Sequence, residues 1–487
     1  MNISGAGLLA PSQRSSTPTN SLPSPISLLQ RAQCYIGLAI LLILDRVLKL
    51  LFKPLQFPSP LIAMALIITS LVATSRYDLH LGPQKFFAPA VDWVAHKWLP
   101  CFYAPALVTL PLALAPLPPQ SIVTAVFVIA LGVVLTCAFT SRIAIAIRAA
   151  TGTEYQPSIP QQNGQHHPSS SPSPNKPHHH PYHHPYHSGE SNTKDNTHSG
   201  SIHFSQFNYY SWGTAAGAAL LILILSPMKT ATHAHATFVL LLSSTILGYM
   251  GGMACPESVK RVVHPMLVTA LVPNVVAAGV GLLTNQGYFS MLQDYLTKGN
   301  PQNPHYMYLY GPGDVLFSFL GVIILCFGFK VFDEWTVLRR HSYEVLGATF
   351  LSAGFSMLST AALAGFMGLP QDLARGIVPR GATLALALPI SERLGASSEL
   401  TAAAVALTGI IGCNFVQVLM TAFGAVDPIS RGLAAAATAH GLGTAAMAAR
   451  EPEGLPFAAL SYALCGVSAS VLACIPLFRN ALLWLTG

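Results

Sequence analysis

The amino-acid sequence predicts an all-α polytopic membrane protein with about twelve or thirteen transmembrane helices. Hydrophobic residues make up 52% of the 487 residues and charged residues only 9%, whereas about a quarter of the residues of a soluble domain are charged. The mean hydropathy is +0.50, and most apolar runs are near the roughly 20 residues that a helix needs to cross a bilayer. Two apolar segments near the C-terminus are interrupted by Gly, Pro and Thr, which predicts two discontinuous (broken) helices or hairpins there.

The composition also excludes several classes of function. The lipid bilayer is the first expected partner, and nucleic acid is not one, because the net charge of +7 comes without a basic stripe that is interleaved with aromatic residues. No nucleophile–base set, phosphate loop or metal-ligand spacing stands outside the apolar runs, so we expect no enzyme activity, no cofactor and no metal site. The eight cysteines lie in or beside apolar runs without a C-x-x-C pair, which favours buried free thiols.

The N-terminal stretch over 1–31 is rich in Ser, Thr and Pro and precedes the first apolar run. This composition fits a disordered N-terminal tail, and it also fits an organelle transit peptide. The sequence therefore leaves open whether the protein resides in an organelle inner membrane or in the plasma membrane.

A first membrane block is predicted over 32–151. Its third span contains Pro105, Pro111 and Pro116, each of which removes a helix N–H, so that we expect it to be kinked or re-entrant. Asp45 and Arg46 lie late in the first span and are expected to pair or snorkel, with a functional ion pair as the alternative. The predicted spans are 34–53, 58–75, 99–118 and 121–147, with an interfacial segment over 86–98.

A linker over 152–206 follows, in which Pro, Ser, Asn, Gln and His replace the apolar runs. Its histidine-rich run PHHHPYHHPYH could bind a transition metal, but a solvated low-complexity linker is the favoured interpretation. We predict a disordered connector between two membrane blocks.

The second membrane block is predicted over 207–487, with an extramembrane loop over 285–311. If the spans alternate simply, most loop Lys and Arg residues lie on the side of the N-terminus, which predicts that the N-terminus and the linker face the cytosol, matrix or stroma. The predicted spans are 208–226, 235–254, 264–284, 313–332, 345–368, 372–391, 399–423, 430–448 and 455–484.

The two interrupted segments read IVPRGATLALALPISERLG and RGLAAAATAHGLGTAAMAAREPEG. Helix-breaking residues at membrane depth are tolerated mainly where the freed backbone groups are buried in protein or line a polar cavity. Half-helix N-termini carry free N–H groups and the positive end of the helix dipole, which suits an anionic solute. Pro379, Gly381 and Pro389 are expected to fix the first break.

Two residues of the first segment are candidates for binding the solute. Arg380 places a cation beside the exposed amides, where a guanidinium can bind a carboxylate bidentately, or it marks the end of a span at the interface. Thr383 can donate its hydroxyl to a 2-hydroxy or 2-oxo group, or it bonds back to its own helix.

The second segment offers His440 as a candidate for solute binding and for proton coupling, since imidazole titrates near physiological pH. A structural hydrogen bond is the alternative role for a single histidine among alanines. Gly441, Gly443 and Thr444 are expected to present N–H groups to the solute.

Acidic residues at the end of this segment are further candidates for coupling. Glu451 and Glu453 could carry a proton or pair with Arg380, or they form a solvated turn. Asp427 and Arg431 are expected to cap the helix that begins at Pro428.

These segments resemble a known signature. The runs LARGIVPRGATLALALPISERLGASSELTAAAVALTGIIG and DPISRGLAAAATAHGLGTAAMAAREPEG are similar to the pattern of the LrgB/CidB family. In the first block FPSPLIAMALI and VDWVAHKWLPCFYAPALVTLP resemble LrgA/CidA proteins. The whole chain is therefore similar to a fusion of the two, as in the plastid glycolate/glycerate translocators. It departs from the LrgB pattern near 311–330, where the second proline is lost and Asp314 is gained.

The resemblance implies a secondary transporter for small 2-hydroxy or 2-oxo monocarboxylates of the glycolate, glycerate, lactate or pyruvate class, with proton coupling as an option. A holin/antiholin-like protein that regulates permeability is the alternative that the same family implies. Paired breaks with Arg380 and His440 favour the transporter, because a holin needs no such site. Assembly into a homo-oligomer is left open.

Overall fold

The computed structural model describes residues 25–52, 59–75, 81–152, 204–227, 230–256, 265–297 and 310–487, and within these ranges the chain is helical without a β-strand. The α-helices are numbered here in chain order. They are α1 Pro25–Leu51, α2 Ser59–Ser75, α3 Leu81–Asp92, α4 Leu99–Val108, α5 Leu110–Leu114, α6 Pro119–Thr151, α7 Gln206–Leu225, α8 Ala231–Ala254, α9 Pro265–Leu283, α10 Tyr288–Tyr295, α11 Pro312–Phe317, α12 Leu320–Asp333, α13 Trp335–Arg340, α14 Ser342–Phe366, α15 Gln371–Ile377, α16 Leu384–Leu394, α17 Ser398–Ala422, α18 Pro428–Arg450, α19 Leu455–Cys474 and α20 Pro476–Leu485.

The described part of the chain contains nine helical segments that are long and apolar enough to cross a membrane. The protein is therefore an all-α, multi-pass integral membrane protein, as predicted. The remaining four of the thirteen predicted spans coincide with α1, with α2 and with the two interrupted segments, which are shorter or more polar. Both interrupted segments are broken helices, also as predicted.

Two predicted segments differ from the structure. Helix α1 begins at Pro25, inside the predicted tail, because an amphipathic apolar run extends upstream of Arg31; the tail before residue 25 lies outside the described residues. The predicted loop over 285–311 contains the short helix α10, which buries Met291, Leu292 and Tyr295. Nearly all of the predicted linker, including its histidine-rich run, also lies outside the described residues.

The prolines of the third span act as expected. Helices α4 and α5 are separated at Thr109, whose hydroxyl donates to the Pro105 carbonyl at 2.9 Å, and Pro111 is the second residue of α5. Asp45 and Arg46, expected to pair or snorkel, do not pair with each other. Asp45 is buried and accepts a hydrogen bond from Lys49 at 2.6 Å, one helical turn away, whereas Arg46 is exposed.

Asp314 explains the departure from the family pattern. Its Oδ2 accepts hydrogen bonds from the backbone N–H of Gly311 at 2.8 Å and from both the N–H and the hydroxyl of Thr297, at 2.9 and 2.7 Å. The carboxylate therefore satisfies free donors at the start of α11, as an acidic residue at the third position of a helix can. It also ties this helix to Thr297, just after the end of α10.

The long helix α6 of the first block packs directly against α14 and α18 of the second block. Phe139 and Phe355 stack with ring centroids 4.1 Å apart at this contact. The two predicted blocks thus share a packed interior along α6. This arrangement places residues of α6 beside the two broken helices.

Candidate functional site

The first break lies between α15 and α16. Helix α15 ends at Ile377, a 3₁₀ turn follows over Val378–Gly381, and Ala382 and Thr383 have extended backbone before α16 begins. Proline lacks the N–H that would continue the helix, so Pro379 ends the regular hydrogen bonding here. The first amides of α16 have no partner within their own helix and carry the positive end of its dipole.

The second break lies inside α18, at Ala439 and His440. The φ angle of His440 is +42° with ψ −128°, a conformation that is strained for a residue with a side chain. A Cβ added at Gly443 would collide with the Ala435 carbonyl, so glycine is required where the two halves of the helix approach each other. The break is therefore built into the sequence by neighbouring small residues.

The two breaks meet at a small cavity. A Cβ added at Gly381 would lie 3.7 Å from the carbonyl oxygen of Ala437 and 2.9 Å from Ser356 Oγ, which places the first break against the second and against α14. The cavity has room for about one water molecule. It is lined by Ser352, Ala353, Ser356, Met357, Pro379, Gly381, Ala382, Ala437, Cys465 and Ala469.

Arg380 lies next to this cavity and is 0% exposed. Its Nε donates to Thr360 Oγ1 and its Nη2 to Thr136 Oγ1, both at 3.0 Å. Its Nη1 has no hydrogen-bond partner, and no carboxylate lies within ion-pair distance among the described residues. The predicted cation is therefore present, buried and held by hydroxyl groups alone. Thr136 Oγ1 lies 3.4 Å from Ser356 Oγ, which connects the guanidinium to the wall of the cavity.

His440 points to a different neighbour from Arg380. Its Nε2 lies 2.9 Å from the Val405 carbonyl oxygen on α17, and its ring packs on the backbone of Gly409. The Arg380 contacts lie on α6 and α14 instead. The structure thus brings the two breaks together, but the two side chains contact different helices.

The other predicted residues of the second break make local contacts. Gly441 faces the ring of Tyr462, which an added Cβ would approach to 3.2 Å. The Thr444 hydroxyl lies 3.2 Å from the His440 carbonyl oxygen and 3.4 Å from that of Ala458. These contacts stabilise the kink between the two halves of α18.

Two residues of the first segment differ from their expected positions. The Thr383 hydroxyl donates to the Tyr462 carbonyl at 3.3 Å, so it bonds neither to its own helix nor into the cavity. Pro389 is the sixth of the eleven residues of α16, and the helix continues through it although proline lacks the N–H that would bond to the carbonyl four residues earlier. The break therefore ends at Thr383, and Pro389 is not part of it.

The acidic residues near the end of α18 also differ from expectation. Glu451 accepts two hydrogen bonds from Arg431, from Nε at 2.5 Å and from Nη2 at 2.6 Å, and not from Arg380. Glu453 is exposed in the turn before α19. Asp427 caps α18 as predicted, through a 2.9 Å hydrogen bond from the Ser430 N–H, but Arg431 does not cap this helix.

The sequence reasoning missed the polar residues that surround Arg380. Ser352, Ser356 and Thr360 follow one another at four-residue spacing on α14, as do Gly132 and Thr136 on α6. Residues four apart share a helix face, so hydroxyls at this spacing within apolar spans are a signal that could have revealed them. Ser352, Ser356 and Thr360 are all buried.

Comparison with known proteins places the chain in a family. A sequence model described as the LrgB-like family matches residues 245–478, a range that contains both breaks but not α6. The plastidal glycolate/glycerate translocator 1, chloroplastic, of Arabidopsis thaliana is 35% identical over 457 residues, which cover 93% of this chain and 80% of that protein. No solved structure matches. On this similarity, which extends over almost its full length, the chain belongs to the LrgB-like family.

Proposed function

We propose that this protein is a secondary transporter for small 2-hydroxy or 2-oxo monocarboxylates, with glycolate and glycerate as the first candidates. The relative named as a glycolate/glycerate translocator supports this solute class. We further propose that the solute binds where the two breaks meet.

The observation that carries the proposal is the unpaired arginine at this junction. Burying a cation without a counter-charge costs several kcal/mol even when hydroxyls solvate it. Arg380 is buried, and its Nη1 has no partner among the described residues. A carboxylate that docks on the guanidinium would supply the missing charge and up to two charge-assisted hydrogen bonds.

The surroundings of the cavity fit a small hydroxy acid. The N-terminus of α16, at Ala382 and Thr383, offers the positive end of a helix dipole to an anion. The Oγ of Ser352 has no hydrogen-bond partner in the described chain, and it lines the cavity together with Ser356. A 2-hydroxy or 2-oxo group could bond to these hydroxyls once the cavity has widened to admit the solute.

The transport step requires the two broken helices to move. A cavity with room for one water molecule cannot hold a three-carbon acid, so the breaks must separate to admit it, as in the alternating-access mechanism of transporters with discontinuous helices. His440 stands at the hinge of α18, and we propose that its protonation couples the movement to a pH gradient. We also propose that the N-terminal block is LrgA-like. This block lies outside the match to the LrgB-like family, which begins at residue 245.

The location that we propose for the protein rests on the same relative. Its name places that translocator in the chloroplast, and we propose a plastid membrane for this chain, with the N-terminus and the linker on the stromal side. Fusion of a fluorescent protein to the C-terminus tests the plastid location, and fluorescence at the cell surface would contradict it.

The test of the transport proposal is uptake of radiolabelled glycolate, glycerate, lactate and pyruvate into proteoliposomes that contain the purified full-length protein. We expect saturable uptake of at least one of these acids. The Arg380→Gln variant should abolish it, and Arg380→Lys should lower kcat/KM by about tenfold or more, since lysine cannot bind a carboxylate bidentately.

A matched control is Arg375→Gln, which removes an arginine of the same segment whose Nη2 contacts the backbone of Gly487 at 3.5 Å, away from the cavity. This variant should retain uptake. If the wild type moves none of the four acids under any pH or sodium gradient, the transporter proposal fails. Leakage of an encapsulated fluorescent dye from the same liposomes would instead support the holin-like alternative.

A further inference from the structure

The region that matches the LrgB-like family does not contain the whole environment of Arg380. The guanidinium has two hydroxyl partners, and Thr360 lies within the matching range while Thr136 lies on α6, more than a hundred residues before it. Both threonines are fully buried. The first block therefore supplies one of the two groups that hold the arginine.

Helix α6 is shaped to receive this side chain. A Cβ added at Gly132 would collide with the Arg380 guanidinium, so only glycine permits this close approach. Gly132 and Thr136 are one turn apart and form a shallow recess with a hydroxyl at its edge. The Thr136 hydroxyl donates its own proton to the Gly132 carbonyl at 2.8 Å, which leaves its oxygen to accept from Nη2.

The two threonines determine which part of the guanidinium stays available. The group is planar and has five N–H donors in a fixed arrangement. Thr360 accepts from Nε and Thr136 from Nη2, so the plane is fixed at two points and Nη1 is left without a partner. With one of these acceptors removed, the guanidinium could rotate, and Nη1 would lose its defined direction.

We propose that Thr136 is a positioning residue of the carboxylate site, so that this site is shared between the N-terminal block and the LrgB-like region. This inference rests on the proposed role of Arg380 in binding the solute. Thr136 does not itself bind the carboxylate. It acts by orienting Nη1 of Arg380 for the incoming anion.

The test compares Thr136→Val with Thr136→Ser in the proteoliposome assay with radiolabelled glycolate. Valine has nearly the same shape as threonine but no acceptor, so Nη1 of Arg380 should no longer be directed at the carboxylate. We expect KM to rise about tenfold, the size expected when the one hydrogen bond from Nη1 to the charged carboxylate is lost, with kcat little changed. Serine retains the hydroxyl and should restore the wild-type KM. Thr360→Val should raise KM in the same way.

The matched control is Thr140→Val, one turn further along α6. Thr140 is as buried as Thr136, and its hydroxyl donates to the Thr136 carbonyl of its own helix at 2.8 Å. This variant should keep the wild-type KM. If Thr136→Val does not accumulate as folded protein, Thr136→Cys, which replaces the hydroxyl with a weak acceptor, is expected to raise KM in its place.

The outcomes separate this inference from the proposed function. A wild type without carboxylate uptake would overturn the transporter proposal itself. A second outcome is that Arg380→Gln loses uptake while Thr136→Val and Thr136→Cys keep the wild-type KM. This outcome would overturn only the positioning role. An equal rise of KM in Thr140→Val would also overturn it, because the effect would then come from general packing of α6.

Discussion

Arg148 and Asp427 form a buried ion pair, with 2.5 Å between Nη1 of the arginine and Oδ1 of the carboxylate and only 7% of each side chain exposed. The arginine lies near the end of α6, and the aspartate caps the start of the broken helix α18. Asp427 also accepts hydrogen bonds from the N–H and the hydroxyl of Ser430, at 2.9 and 2.5 Å. This pair therefore fastens the N-terminal block to the helix that is proposed to move.

The first prediction concerns this ion pair. Arg148→Ala should destabilise the protein by about 3–5 kcal/mol, because it leaves the Asp427 carboxylate buried without its counter-charge. The measurement is unfolding of the purified protein by titration with SDS in mixed micelles.

The Lys330–Asp92 pair provides the matched control. It also joins the two blocks, but its atoms are 3.3 Å apart and both side chains are partly exposed, so Lys330→Ala should cost less than about 1 kcal/mol. Equal losses of stability in the two variants would show that the buried Arg148–Asp427 pair stabilises the protein no more than the exposed pair does.

Hydrophobicity and helix breakers were sufficient to predict the architecture. Several spans could be placed to within a few residues, because a run such as that of α17 must be helical in lipid to satisfy its backbone. The break in α18 was predictable from the glycines around His440, and the break after α15 from Pro379 and Gly381.

The direction of the side chains at the site was not predictable in the same way. Residue spacing within a segment says nothing about which distant helix packs against it, so the partnership of Arg380 with Thr136 required the fold. The same holds for Glu451, whose partner Arg431 lies twenty residues upstream on the other half of a broken helix. Pro389 failed as a marker because α16 continues through it in the middle of the helix, so a proline in the sequence does not by itself show where a helix ends.

The second prediction concerns the packing of the α18 break against α17. A Cβ added at Gly412 would overlap Ala439, one of the two residues at the kink. Gly412→Ala should therefore displace the kink at an overpacking cost of about 1–3 kcal/mol, and it should reduce glycolate uptake in proteoliposomes.

Gly279→Ala is the control for this change, since nothing lies within 4 Å of the added Cβ. This exposed helical position should tolerate alanine. The free energy of unfolding should increase by about 1 kcal/mol, because alanine has a higher helix propensity than glycine. Normal uptake in Gly412→Ala would show that the kink has no part in transport.

The third prediction separates the two acidic residues at the end of α18. Glu451→Gln removes a charge that accepts two hydrogen bonds from Arg431, so this variant should lose stability by about 1–3 kcal/mol. Glu453→Gln changes an exposed side chain and should stay within about 0.5 kcal/mol of the wild type.

The same two variants test the coupling role that the sequence allowed for these residues. A structural role for Glu451 predicts that the pH dependence of glycolate uptake is unchanged in Glu451→Gln, once the amount of folded protein is equalised. A flattened pH profile in either variant would show that the carboxylate takes part in proton coupling after all.

The fourth prediction concerns His440, which combines a strained backbone with a hydrogen bond between its Nε2 and the Val405 carbonyl oxygen. Glutamine can donate a similar hydrogen bond from its amide but does not titrate. His440→Gln should therefore still take up glycolate. Its uptake should no longer increase at acidic external pH, because the proposed proton carrier is gone. His440→Ala removes both the bond and the titrating group, and it should lose uptake as well as its pH dependence.

The experiment measures initial uptake rates in proteoliposomes between pH 5.5 and 8, a range that brackets the pKa of about 6.5 of an imidazole in water. His440→Gly serves as the control for backbone strain, since glycine adopts the positive φ angle without cost. If the glycine variant transports as well as the wild type with the same pH profile, the imidazole is dispensable, and the coupling proton must be carried elsewhere. If His440→Gln keeps the pH profile of the wild type, His440 stabilises the break only through its hydrogen bond to α17.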